Sequence, residues 1–340
     1  MPDAPPPAHL AEEATRIFLD HRELLFSIVY AMLGGVADTE DVLQETWLAW
    51  AARWGGAEAG EIAGPRAYLV RVAVNAALAR RAAVSRRRET YPGPWLPEPV
   101  IRDVPAGSTE AGTAGEDAAE PALRAEAVSM ALMVVLETLA PVERAVFVLH
   151  EVFGYAHTEI AGMLGRPPAA VRQLAHRARE HVRARRPRYR PDPGARRQVT
   201  ERFLAAALGG DLDALMRVLA PDVTLWTDGG GRARASLQRP VRGRAKVARL
   251  IAGITSHIPE GVEVRYRTVN GDPSAVLFDG DAPFAVMVVD LAPDGDHVTG
   301  IYTVTNPDKL THVTSARPAT EPAPDGPPPS EAPRQRKVEP

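Results

Sequence analysis

Pro141-Val142-Glu143-Arg144-Ala145-Val146-Phe147-Val148-Leu149 leads, past a break at Phe153-Gly154-Tyr155, into Glu159-Ile160-Ala161-Gly162-Met163-Leu164-Gly165-Arg166-Pro167-Pro168-Ala169-Ala170-Val171-Arg172-Gln173-Leu174-Ala175-His176-Arg177-Ala178-Arg179. Pro141 suits the first turn of a helix whose apolar face is Val142, Ala145, Val146 and Leu149. Residues 159–164 form a short second helix, and Gly165 supplies a turn in which positive φ is cheap. Pro168 opens a third helix that turns Val171, Leu174, Ala175 and Ala178 inward and Arg172, Gln173, His176, Arg177 and Arg179 outward. Two short helices joined by a glycine turn, the second studded with Arg and Gln, describe a DNA-reading helix-turn-helix. Arg pairs with guanine and Gln with adenine in the major groove, each contact worth about 1–3 kcal/mol of discrimination. Arg183, Arg185, Arg186, Arg188 and Arg190 follow as sequence-blind phosphate contacts. His176 has no second ligand one turn away, so it reads as a DNA-facing polar residue rather than a metal ligand.

Upstream, Leu24, Leu25, Ile28, Val29 and Met32 repeat at helical spacing and stop at Gly34-Gly35. A second helix starts near Asp38 or Thr39 and carries Val42, Leu43, Thr46, Trp47 and Trp50. Residues 55–65 are a Gly-rich loop, and a further helix runs from Tyr68 through Leu69, Val72, Ala73, Ala76 and Ala77 into Arg80-Arg81 and Arg86-Arg87-Arg88. Residues 92–126 are rich in Pro, Gly and acids, which is linker composition. Downstream, residues 196–219 are one or two helices. Apolar runs at 223–226, 262–269, 275–278, 284–291 and 298–304 read as strands, interrupted by a helix at 246–254. Eight prolines among residues 315–340 predict a disordered tail.

The 340 residues carry a net charge of −3, but the charge is distributed in blocks. Residues 92–126 hold 2 basic and 7 acidic side chains, whereas residues 166–190 hold nine Arg and one Glu. Such asymmetry is a signal of a polyanionic partner. The absence of Cys excludes disulfides, thiolate metal sites and a cysteine nucleophile. No apolar run reaches 18 residues, which excludes a membrane-spanning helix, and the N-terminus lacks a basic start and an apolar stretch. The expected location is cytoplasmic, with no membrane partner.

Asp38-Thr39-Glu40-Asp41-Val42-Leu43-Gln44-Glu45-Thr46-Trp47 resembles region 2 of sigma-70-family factors, and Pro65-Arg66-Ala67-Tyr68-Leu69-Val70-Arg71-Val72-Ala73-Val74-Asn75 resembles the part of that region that opens and reads the −10 element. The helix-turn-helix resembles region 4, which reads the −35 element. With no domain between them, the pattern is that of extracytoplasmic-function (ECF) factors. Glu89-Thr90-Tyr91-Pro92-Gly93-Pro94-Trp95-Leu96-Pro97-Glu98-Pro99, Asp228-Gly229-Gly230-Gly231-Arg232 and Asn306-Pro307-Asp308-Lys309-Leu310 resemble three separated signatures of the SigJ-like subgroup, which carries a SnoaL-like domain after region 4. A departure is Pro167-Pro168 where a Ser or Thr cap often stands.

The resemblance implies a multidomain fold: two all-α sigma domains followed by an α+β SnoaL-like cone-shaped barrel. Its expected boundaries are a disordered start at 1–9, region 2 at 10–91, a linker at 92–126, region 4 at 127–190, the SnoaL-like domain at 196–312 and a disordered tail at 313–340. It implies a sigma factor that binds core RNA polymerase, at the β′ clamp helices and the β flap, and directs initiation at promoter DNA. Asp41, Gln44 and Glu45 would meet polymerase. Asn75 would sit near a flipped −10 base, with Arg71, Arg80 and Arg81 on the backbone. Arg172, Gln173, His176, Arg177 and Arg179 would read the −35 element. Trp95, Glu98, Asp228, Gly229, Gly230, Gly231, Arg232, Asn306, Pro307, Asp308 and Lys309 would join the extra domain to the sigma core, with Trp95 as an aromatic anchor and Arg232 or Lys309 paired with Glu98 or core acids. Neither a cofactor nor a metal is expected. Two other readings stay open: a DNA-binding regulator that works without polymerase, and a SnoaL-type enzyme with a DNA-binding appendage. The enzyme reading needs Asp228, His257, Asp290 and His297 to converge on a pocket, and a small-molecule ligand in the SnoaL-like cavity is left open with it.

Overall fold

The computed structural model describes residues 8–54, 64–102, 128–185, 193–232, 237–255, 258 and 261–314. Arg186, Arg188, Arg190, His257 and the acidic residues beyond Arg102 in the linker lie outside these, as do residues 1–7 and 315–340.

Three long helices come first: α1 (Ala8–Leu33), α2 (Val36–Trp54) and α3 (Pro65–Glu89). Gly34, at φ 74°, ends α1 and allows α2 to fold back. Trp50, fully buried, donates from its indole Nε1 to the Ala14 carbonyl at 2.9 Å and ties α2 to α1. Four helices follow the linker: α4 (Met130–Leu136), α5 (Pro141–Phe147), α6 (His157–Leu164) and α7 (Pro168–Arg183). The Ser129 hydroxyl caps α4 by accepting from Leu132 N at 3.2 Å. After α5 the chain passes through a π-helical turn, Val148–Val152, and Gly154 at φ 74° breaks it. Gly165 at φ 61° makes the turn between α6 and α7. Pro167 stands at the N-cap of α7 with no side-chain cap, so Pro168 at N1 sets the helix start through its fixed φ.

The sequence predicts two helical modules separated by a strap. The structure packs them together. One continuous apolar core runs from Ile28, Val29, Leu69 and Val74 of α1 and α3 to Val146, Leu149, Ile160 and Val171 of α5 to α7.

The C-terminal unit starts with α8 (Pro193–Leu208) and α9 (Leu212–Val218). Its strands are β2 (Leu219–Asp228), β3 (Val241–Arg242), β4 (Glu263–Val269), β5 (Asp272–Asp279), β6 (Ala282–Leu291) and β7 (Val298–Val304), with α10 (Arg244–Thr255) between β3 and β4. The first strand, β1 (Ile101–Arg102), comes from the linker and pairs antiparallel with β4, giving a sheet ordered β1-β4-β5-β6-β7-β2-β3. Composition had made residues 92–126 a plain linker; residues up to Arg102 instead belong to the sheet and its packing. The reason is visible in Leu96, which is fully buried.

The sheet is buried on both faces, with the period-2 alternation a strand imposes. Ala275, Leu277, Ala285, Val289 and Leu291 face α8 and α10, whereas Val276, Phe278, Val286 and Val288 face Leu96 of the linker and Met130 and Ala131 of α4. The second face makes the C-terminal unit part of the helical body. It reaches Val313, which is buried there, so ordered packing passes the expected boundary at 312.

Candidate nucleic-acid interface and the contacts that cover it

Of the residues expected at the −35 element, Arg172, Gln173, His176 and Arg177 are exposed and line one open recess with Ala169 on the outer face of α7. Two of the arginines have internal partners: Arg177 Nε lies 3.2 Å from Glu143, and Arg179 donates from Nε to Glu151 at 2.9 Å.

The −10 set is placed differently. Arg71 is exposed and stacks over Tyr68 at 5.5 Å. Asn75 Nδ2 donates to the Met163 carbonyl of α6 at 3.0 Å, so the helix-turn-helix rests on it. Arg81 is buried and donates from Nη2 to Glu137 at 2.7 Å. In this arrangement Arg81 is an interdomain bridge, not a free backbone contact. Arg80 binds Asp38 at 2.9 Å and also reaches Asp41 and Glu45, so the expected −10 cation and two expected polymerase-facing acids form one cluster. Arg87 donates to Asp38 at 2.7 Å, and these arginines outweigh the effect of Asp38's burial and hold its carboxyl below the usual range. Gln44, Asp41 and Glu45 remain exposed on α2, together with Leu48 one turn beyond Gln44.

Glu137, at the end of α4, gathers three guanidinium groups. Arg81 and Arg88 from α3 share its Oε2, and Arg144 from α5 takes Oε1. Arg144 also donates from Nε to the Ala31 carbonyl at 2.8 Å, and Arg88 donates to the Leu33 carbonyl. Burial alone would raise the Glu137 pKa; Arg144, Arg88 and Arg81 overcome it and bring it to about 2. Burial, opposed by Glu137, brings Arg88 down to about 10.

Arg88 also carries the connection to the C-terminal unit. Its guanidinium lies 3.3 Å from the centroid of the Trp95 ring, and Lys309 Nζ lies 4.1 Å from the same ring. Trp95, expected as an aromatic anchor, is half-buried and lies between two cations. Lys309 is paired with Asp228 at 2.7 Å and also donates to the Leu96 carbonyl. Asp228, fully buried, accepts from Tyr91 Oη at 2.5 Å and Leu96 N at 2.7 Å. Burial and then the Asp228 hydrogen bond raise the Tyr91 pKa; burial lowers that of Lys309 against the opposing pull of Asp228.

The glycine run is required by approach as well as by conformation. A Cβ on Gly230 (φ 59°) would meet the Asn306 side chain at 2.4 Å, and one on Gly231 (φ 72°) would meet Pro92 at 2.7 Å. Gly229 closes the turn through its carbonyl, which accepts from Arg232 N at 3.0 Å. Asn306 donates to Tyr91 Oη at 2.8 Å and accepts from Asp308 N at 3.1 Å, and Pro307 opens the following 3-10 turn.

The expected pairing of Arg232 or Lys309 with Glu98 is replaced. Arg232 binds Asp308 at 3.0 Å, and Glu98 accepts from Val36 N at 2.7 Å, capping the start of α2. Glu98 is the better N-terminal cap because its backbone N is already held by the Gly34 carbonyl at 2.9 Å.

Sequence reasoning missed Glu137, Arg88, Arg144, Tyr91 and Asn270. Asn270, at φ 52°, donates to Tyr30 Oη at 2.8 Å and holds Val100 on both sides of its backbone. An Asn-Gly pair between two strand patterns was the one signal for it.

Of the four ionisable candidates for catalysis, His257 lies outside the described residues, and the other three are not brought together. Asp228 faces the linker, and it aligns with Val304 in the sheet. Asp290, on the other side of β7, aligns with Gly300, four residues or about 13 Å further along that strand. His297 lies on the turn beyond, 3.0 Å from Asp294.

Family models match in three places: Sigma-70 region 2 over residues 17–87, Sigma-70 region 4 over 129–182 and the SnoaL-like domain over 200–323. The chain belongs to the ECF RNA polymerase sigma factors. It is 38% identical over 301 residues to the ECF RNA polymerase sigma factor SigJ of Mycobacterium tuberculosis, covering 85% of this chain and 91% of the relative. It is 31% identical over 293 residues to the probable ECF sigma factor SigI of that organism, covering 85% and 92%. The crystal structure of M. tuberculosis SigJ superposes with a TM-score of 0.64 at 37% identity, covering 85% of this chain and 95% of that one.

Proposed function

We propose that the protein is a sigma factor whose own C-terminal domain holds regions 2 and 4 in a closed arrangement that engages part of the −10 surface. The single observation that carries this is the cover over α3: Asn75 is bonded to Met163 and Arg81 to Glu137. The −10 and −35 elements lie about 25 base pairs apart, roughly 85 Å of duplex. Two modules in direct contact do not span that distance, so promoter binding requires them to separate.

Three functions divide among three surfaces. The outer face of α2, with Asp41, Gln44, Glu45 and Leu48, is open to the β′ clamp helices of polymerase. The outer face of α7 is open to the −35 duplex, while region 4 also docks on the β flap. On α3, Arg71 is already exposed, and the Asn75 amide is freed for an unstacked base once region 4 leaves. Polymerase does the chemistry and the sigma chain is not an enzyme. The C-terminal domain acts by gripping the linker: it adds Ile101–Arg102 to its sheet and locks Tyr91, Trp95 and Leu96 against Asp228 and Lys309.

The test is in vitro transcription with core polymerase over a promoter library, comparing the full chain with a chain ending at residue 195. A full chain that confers start-site choice, and a truncated one with altered output, support the proposal. Equal output and equal DNA affinity refute control in cis.

A further inference from the structure

Beside the exposed face of α7 lies a second basic feature that the −35 reading does not use. His150, in the π-helical turn, and His157, at the start of α6, stack with ring centroids 4.0 Å apart and planes tilted by 35°. The Tyr155 carbonyl lies 2.9 Å from His150 Nδ1, so that nitrogen carries a proton and donates to it. The charged groups facing the pair come from two elements. Glu151 of the π-helical turn is 3.9 Å from His150 Nε2 but is taken up by Arg179, and α7 contributes Arg172 and Arg179. Glu159 of α6 is occupied with Ala156 N at 2.7 Å. Among the described residues no group of three His, Cys, Asp or Glu could hold a metal ion, and two imidazoles next to two guanidiniums suit an anion better than a cation.

We propose that His150 and His157 are contacts to the phosphate backbone of bound duplex and take up protons as it binds. The proposal rests on the reading that α7 enters the major groove. In a helix-turn-helix the helix before the reading helix crosses the backbone, and here His157 opens that helix on the Arg172 and Arg179 side of α7. In the free protein burial, His150, Arg172 and Arg179 hold the His157 pKa below its ordinary value. A phosphate set among the same groups reverses the balance, because it neutralises the arginines and favours imidazolium. A group whose pKa is raised in the complex strengthens binding below its free pKa. That gain is lost as pH rises through the pKa in the complex.

Phosphate contacts are blind to sequence, so the test needs no promoter. The full chain is titrated with a 20-base-pair duplex of arbitrary sequence, by fluorescence anisotropy at constant ionic strength, at pH 6, 7 and 8. Affinity should rise about tenfold from pH 8 to pH 6, the change expected for uptake of roughly one proton part-way through its titration. A His150→Gln/His157→Gln double variant should lose most of that rise, whatever its affinity at pH 8. His297→Gln, which alters a histidine on a turn of the C-terminal unit, should keep the rise. His157→Lys, a permanent cation, should bind more tightly than wild type at pH 8. Thermal melting checks that each variant is folded. A double variant with the wild-type pH slope, or a wild type with none, overturns the proposal alone. A wild type that binds no duplex at any pH overturns the groove reading and the proposal with it.

Discussion

Asn75 of α3 donates its side-chain amide to the backbone carbonyl of Met163 in α6, 3.0 Å away and 88 residues along the chain. The residue proposed to meet an unstacked base therefore has its amide engaged by the helix-turn-helix. The free chain should bind −35 duplex through α7 but bind −10 single strand at least tenfold more weakly than a chain truncated at residue 195. Anisotropy with the two probes checks this, and equal single-strand affinity would contradict it.

Glu137, at the end of α4, pairs with three arginines, Arg81, Arg88 and Arg144. Glu137→Gln leaves those cations without a counter-charge, and breaking a buried ion pair from one side costs about 3–5 kcal/mol. The expected outcome is looser packing of region 4 on region 2, read as higher −10 single-strand affinity and faster amide exchange in α3. Unchanged exchange in α3 would show that the cluster does not hold the closed form.

The same carboxylate sets a pH dependence. Its pKa is depressed to about 2 in the folded chain from an ordinary 4.5. A depressed acid contributes stability that is complete above its unfolded pKa and is lost as pH falls through its folded one. The stabilisation, about 3 kcal/mol, should fade between pH 4.5 and 2. Denaturant melts of wild type and Glu137→Gln should converge over that window.

At the other end of the network, Gly231→Ala would put a Cβ 2.7 Å from Pro92 at a positive φ. The left-handed conformation alone costs about 1–2 kcal/mol. The linker should loosen from the C-terminal domain without unfolding it, and Trp95 fluorescence should shift as its two cations withdraw. Asp228→Ala should do the same more severely, since it strands Lys309 in the interior. Unchanged fluorescence together with unchanged transcription from Gly231→Ala would refute the grip on the linker.

On α7, Arg172→Ala should cost about 1–3 kcal/mol on the promoters the factor selects and relax the preference at one −35 position. Arg183→Ala should weaken all sequences alike and reduce the salt slope by about one. A library selection reporting the same loss for both variants would place α7 outside the groove.

How far the sequence was legible follows from what periodicity measures. It assigns a face to each residue of a helix or strand, so the helix-turn-helix, the strands from β4 to β7 and the outward Arg172 and Gln173 were all readable. It does not say what covers a polar face. Arg81 and Asn75 lie on a face that reads as open to nucleic acid, and only the folded chain shows region 4 over it. Glu137, one charge at the end of an apolar run, has the pattern of a helix terminus in solvent. Leu96 sits among prolines, and its burial depends on a sheet that begins more than 120 residues later. The three signature stretches around Trp95, Gly230 and Asn306 could be expected to meet, but the pairing of Lys309 with Asp228 rather than Glu98 depends on backbone register.

The most direct test of the closed arrangement is the distance between regions 2 and 4. The chain has no Cys, so Leu19→Cys on α1 and Arg183→Cys on α7 give unique labels at exposed positions. Single-molecule energy transfer should report one short distance in the free chain and an increase of tens of ångströms when core polymerase and promoter DNA are added under conditions that yield transcript. Transcript formed with the short distance unchanged would contradict the account.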